Sequence, residues 1–210
     1  MTEAEWMEAT DPDQAILFFD LAQKRMPRLS QRKSRLFAIG CTRYAVKAMN
    51  VGKMDVRDMA ERYADGIADD AEIRVLRGRI HQLIRPYRPS VLPILGLAIN
   101  EEDASSDIID GCVNIVRLLT AIPLPCIMHL FRDIFGNPFR LVIVDPSWLT
   151  STVLSLAEGI YADRAFDRLP ILADALQDVG CDNEDILSHC RQPGEHVRGC
   201  WAIDLLLGKS

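Results

Sequence analysis

No acidic residue stands between Asp20 and Asp55, no Cys-x2-Cys pair occurs anywhere, and aromatic residues make up only 7% of the chain. Each shortage excludes something. Structural zinc folds draw their four ligands from close cysteine or histidine pairs, and the missing pair argues against the ribbons and fingers built that way. Few aromatics leave little to stack on bases, with only Phe37 and Tyr44 available in the basic stretch. A Gly-rich phosphate loop, a His-Glu-x-x-His helix, an EF-hand loop and a Gly-x-Ser-x-Gly turn are all missing. Asp103, Asp107 and Asp110 lack the spacing of a calcium loop.

Long hydrophobic runs are also scarce. The longest apolar stretch, Leu118 to Phe131, is too short to span a bilayer and is interrupted by Pro123 and Pro125. The first residues, Met1-Thr2-Glu3-Ala4-Glu5, are acidic and lead into no apolar signal segment. These features predict a soluble, cytoplasmic protein that meets no membrane and keeps its cysteines reduced. No internal repeat and no low-complexity segment is visible.

What is present describes an ordinary globular chain of 210 residues, with 49% apolar and 26% charged side chains and a net charge of −6. The acidic balance argues against nucleic acid as a partner. The charge is uneven, however. A basic stretch carries Arg32, Arg35, Arg43 and Lys47 within residues 24–53, and Asp55, Asp58, Glu61, Asp65 and Glu72 follow it. Pairing of this basic layer with the acidic one inside the chain is the simplest expectation.

Helix signals recur. Thr2 to Glu5 reads as a capping box. Asp11-Pro12 opens a helix that ends near Arg25, and Ser30 caps one over residues 31–49. Asp55 starts a helix stopped by Gly66, and Asp69 or Asp70 starts the next. Arg85 to Ser90 is a break, with apolar helices expected from Ser90 and from Ser105 or Ser106. Beyond Pro123 and Pro125 a helix runs to about Phe135, and Gly136-Asn137-Pro138 turns the chain, with Phe135 and Phe139 as its anchors. Residues 139–144 are the best extended segment. Thr150 or Ser151 caps a helix to Tyr161, Asp167 caps one ending at Gly180, and Asp182 caps one to Cys190. After Pro193-Gly194 a last helix is expected from His196 to Leu207.

Several stretches carry a resemblance. They are Thr2-Glu3-Ala4-Glu5-Trp6 with Asp11-Pro12, Arg35-Leu36-Phe37-Ala38, and Ala60-Glu61-Arg62-Tyr63-Ala64-Asp65-Gly66. From Arg132 onward they continue with Arg132 to Arg140, Asp145 to Thr150, Arg164 to Pro170, the Cys/His block, and Asp204 to Lys209. In these the chain resembles an uncharacterised, paralogue-rich family of bacterial proteins. Residues 74–130 take no part in the likeness. The family's pattern has a cysteine-rich run ending in paired arginines where this chain has Gly40-Cys41-Thr42-Arg43, so any thiol or metal role of that run is lost here. The family carries no established activity, and the resemblance implies no function.

Half of the six cysteines and half of the four histidines fall between Gly180 and Trp201. His189, Cys190, His196 and Cys200 are therefore the candidate metal ligands. His196 and Cys200, at i and i+4 of the expected last helix, share a face, and His189 or Cys190 completes the set. A thiol site would use the stripe His196, Cys200 and Asp204. The competing reading is cysteines packed in the core with histidines bonded to backbone. Arg132, Arg140, Arg164, Asp167 and Arg168 form a polar set suited to recognition or to bridging between helices. Arg32, Arg35, Arg43 and Lys47 form the basic face that nucleic acid would need.

The fold predicted is all-α: a compact multi-helix array with at most one short extended segment near 139–144. Residues 1–210 are read as one helical unit, the alternative being a layer over 1–122 and a lobe over 123–210. The expected function is non-enzymatic protein–protein interaction or scaffolding through an unidentified protein partner, with a homo-oligomer allowed. The alternatives are a zinc-stabilised or thiol-dependent protein and a nucleic-acid-binding regulator. No cofactor is expected under the first reading; zinc is the cofactor of the second.

Overall fold

Helix ends in this chain are set by short polar side chains that satisfy the first free amides of each helix. The computed structural model describes residues 2–10, 30–49, 56–69, 71–76, 78 and 124–209. The expected helices opened by Asp11-Pro12, Ser90 and Ser105 or Ser106 lie outside the described residues. So do the break at 85–90 and the side chains of Arg43 and Lys47. Every regular element among the described residues is helical, and none of these helices is long and apolar enough to cross a membrane.

The chain divides into two compact units, Met1–Arg132 and Asp133–Ser210. In the first, α1 (Glu3–Glu8) opens with the expected capping box. Thr2 accepts from the Glu5 amide at 3.2 Å, and the Glu5 carboxylate accepts from the Thr2 amide at 2.6 Å. α2 (Gln31–Met49) begins after Ser30, whose hydroxyl accepts from the Lys33 amide at 3.2 Å. α3 (Val56–Ala64) stops before Gly66, which adopts φ +69°. Residues 71–76 are helical and start from a second reciprocal box, Asp69 with Glu72.

The charge layers pair as the pattern suggests. Arg32 meets Asp65 at 2.8 Å, Arg57 meets Glu61 at 3.4 Å, and Arg62 meets Glu72 at 3.1 Å. Arg35 is buried, with its guanidinium 4.5 Å from the ring centre of Tyr63. Beneath them Phe37 packs on Phe131, ring centres 4.4 Å apart. Gly40 lets α2 approach closely, since a Cβ there would stand 2.8 Å from Leu130 Cδ1.

The division into units falls within α4 (Leu124–Phe135). In the second unit follow α5 (Ser151–Asp163), α6 (Leu169–Asp178), α7 (Glu184–Arg191) and α8 (Trp201–Leu206). Their apolar residues recur at helical spacing: Val153, Ala157 and Ile160 on α5, and Leu169, Leu172, Ala173 and Leu176 on α6. With Ile186, Leu187 and Cys190 on α7 and Ala202, Ile203 and Leu206 on α8, they make one core.

Four local expectations need correction. Asp167 does not cap α6. It lies exposed in a 3-10 turn (Phe166–Arg168), and the backbone passes from that turn into α6 without a side-chain cap. Asn183, not Asp182, caps α7, accepting from the Ile186 amide at 3.1 Å. Phe135 is buried but Phe139 is exposed, because the turn at Gly136 directs the two rings differently. The last helix begins at Trp201, five residues later than expected, because Gly199 at φ +92° cannot continue a right-handed helix.

Phe139 belongs to a turn, and residues 140–144 follow without regular structure and form no ladder. Leu141 and Ile143 are 72% and 74% exposed, while Val142 between them is buried.

Candidate metal centre

Three segments of the second unit deliver four ligand-type side chains to one place. The last turn of α4 supplies Asp133. α7, held in register by its Asn183 cap and by Ile186 and Leu187 in the core, supplies His189 from its final turn. The irregular segment 192–200 supplies His196 and, at its end, Cys200. This segment is anchored by Arg198, whose Nε and Nη2 donate to the carbonyls of Tyr161 and Ala162, both at 3.2 Å. The Arg198 guanidinium also lies over the Tyr161 ring at 5.1 Å.

All four residues are buried: Asp133 and Cys200 are 1% exposed, His196 5% and His189 8%. One ligand atom from each lies within 4.8 Å of the others. His196 Nδ1 is 2.6 Å from Asp133 Oδ1, and His189 Nε2 is 3.3 Å from the same oxygen. His189 Nε2 is also 3.2 Å from Cys200 Sγ. The second carboxylate oxygen, Asp133 Oδ2, accepts from the Val197 amide at 2.9 Å. Behind the cluster, Gln192 Nε2 lies 3.0 Å from His189 Nδ1, and the Trp201 ring centre is 5.0 Å from that of His189.

Burial pushes Asp133 upward, but hydrogen bonds and charge from His189 and His196 outweigh it and hold the carboxyl well below its usual range. Burial pushes the Cys200 thiol far up, helped by the Asp133 carboxylate and by Cys190. Cys190 is pushed up to about 12 by burial, with Asp133 and Cys181 adding to it. Neither thiol has the exposure or the thiolate character of a nucleophile.

The sequence candidates therefore separate. His189, His196 and Cys200 converge. Cys190 belongs to the apolar core and is outside the converging set. The stripe His196, Cys200 and Asp204 does not exist as a helical face, since residues 196–200 are not helical. The imidazole at Cys200 is His189, and Asp204, though buried, is not part of the cluster. Asp133 was absent from the sequence-level candidates, because it lies 56 residues before His189 and only folding brings them together.

The polar set disperses. Arg132 Nη2 donates to the carbonyls of Trp6, Met7 and Ala9 at 2.6, 3.0 and 2.7 Å, closing the end of α1. Arg140 pairs with Asp185 at 2.9 Å on the surface. Arg164 is the left-handed residue ending α5, at φ +54°. Asp167 and Arg168 are exposed.

No family model matches the chain, and no curated protein or solved structure is similar to it.

Proposed function

We propose that the protein is a non-enzymatic helical module that works by binding another protein, and that it does so in the cytoplasm. The observation that carries this reading is the burial of its only assembled set of reactive groups among the described residues. A thiol that is 1% exposed and pushed far above its usual range offers a substrate neither access nor a thiolate. The second unit also exposes large apolar side chains: Leu141 and Ile143 in segment 140–144, and Ile171 on α6, 55% exposed. The five described cysteines are free thiols, which suits a reducing compartment.

Nucleic acid is the less supported alternative. Arg32 is engaged by Asp65 and Arg35 is buried over Tyr63, so two of the four residues of the basic face have intramolecular work.

A photo-crosslinking residue at position 139, exposed beside Leu141 and used in the cells that make the protein, tests the reading. Adducts with one protein are expected, and Leu141→Asp with Ile143→Asp should abolish them at unchanged melting temperature. Adducts that survive the double substitution, or turnover of a small molecule by the purified protein, would remove the reading.

A further inference from the structure

We propose that Asp133, His189, His196 and Cys200 bind one zinc ion, which fastens segment 192–200 to α4 and α7 within the second unit. The site is independent of the protein-binding surface proposed above.

Geometry makes the first argument. A tetrahedral ion with bonds of about 2.0–2.3 Å holds its ligand atoms about 3.3–3.7 Å apart. One contact already has that size, 3.3 Å from His189 to Asp133, and the 3.2 Å from His189 to Cys200 falls just short of it. The 2.6 Å contact between His196 and Asp133 is a hydrogen-bond distance. It must open by under about 1 Å for an ion to enter, which side-chain rotation at either residue supplies.

Proton counting makes the second. His189 Nε2 faces both a carboxylate oxygen and a thiol sulfur, and a ring nitrogen carries one proton at most. A single N–H directed at Asp133 leaves Cys200 without it, and the reverse also holds. A cation at the common point serves the nitrogen, the oxygen and the sulfur together. The Cys200 proton is then released to water, and zinc with one thiolate, one carboxylate and two neutral imidazoles sums to zero charge. A neutral assembly is what a fully buried site demands.

The surroundings fit as well. A histidine that binds metal through Nε2 carries its proton on Nδ1 and donates it to an acceptor behind. Gln192 is at Nδ1 of His189 at 3.0 Å, and a half-turn of its amide, which exchanges two nearly indistinguishable atoms, puts the oxygen there. The Val197 amide holds the other Asp133 oxygen, leaving Oδ1 aimed inward. The ligand set of one sulfur, two nitrogens and one oxygen excludes magnesium and calcium, which take oxygen, and suits zinc. Four protein ligands and burial of all four leave no position for water, the mark of a structural rather than a catalytic ion.

The test is elemental mass spectrometry on natively purified full-length protein, followed by melting with and without a chelator. One zinc per chain and a lower melting temperature with chelator are expected. Cys200→Ser and Asp133→Asn should each surrender zinc to a competing chelator at least about 10-fold more readily, while Cys190→Ser keeps wild-type retention. Should the variants fail to fold, cobalt exchanged into the wild-type protein must show a sulfur-to-cobalt charge-transfer band. The proposal is overturned by protein that neither contains zinc nor takes it up from zinc chloride, or by zinc held unchanged in both ligand variants. A cobalt form without the sulfur band overturns it too.

Discussion

Arg132 closes α1 from 126 residues away, and its removal has a calculable cost. One nitrogen, Nη2, lies within 3.0 Å of three carbonyls, but it carries two protons, so two bonds are at full strength. Bonds from a charged donor contribute about 1.5–3 kcal/mol each. Arg132 Nε is buried with no hydrogen-bond partner among the described residues, which returns about 1–3 kcal/mol. Arg132→Ala removes both terms, and the net loss comes to roughly 2 kcal/mol. For a chain of this size that is about 4–8 °C in Tm. Arg132→Lys should recover less than half, because an ammonium is a point charge on a different stem and cannot span the carbonyls that the fork reaches. Urea unfolding gives the magnitude, and hydrogen exchange of the peptide covering residues 2–10 locates it. A loss under about 0.5 kcal/mol, or full rescue by lysine, would refute the capping argument, since the residue would then behave like an exposed surface charge.

Two further outcomes concern a strained turn and the burial of the cysteines. Gly136 sits at φ +72°, and a Cβ there would stand 3.2 Å from the Trp201 ring that packs on His189. Gly136→Ala should cost about 2–3 kcal/mol, from left-handed strain of about 1–2 kcal/mol plus displacement of the indole. A chemical melt within about 0.5 kcal/mol of wild type would show that the turn relaxes freely. Thiol labelling is the other case. At pH 8 Cys41, Cys181, Cys190 and Cys200 should resist iodoacetamide in the native protein, because burial raises each thiol above its ordinary value and Cys190 to about 12. Cys126, the one described cysteine that is only partly buried, should react first, as read by peptide mass spectrometry. Labelling of Cys200 ahead of Cys126 in folded protein would contradict the burial on which the proposed function rests.

Local chemistry was legible from the chain itself. Thr2, Ser30, Thr150 and the pair Asp69 and Glu72 act as caps because a hydroxyl or carboxylate three residues before a free amide reaches it whatever the tertiary fold. The apolar residues of α5 and α6 recur at helical spacing, and the faces that carry them meet the core. The period of a helix or strand is a property of the backbone alone. The candidate metal centre was legible only in part. His189, His196 and Cys200 stood out by residue type, but the expected helical face linking His196 to Cys200 is broken at Gly199. Their convergence comes instead from a turn and from the anchoring of Arg198 on α5. Asp133 carried no local signal at all, because an aspartate near a helix end resembles a solvated one until burial and two imidazoles surround it. Spacing along a helix can be counted in a sequence. Which side chain from 56 residues away completes a buried cluster is decided by packing.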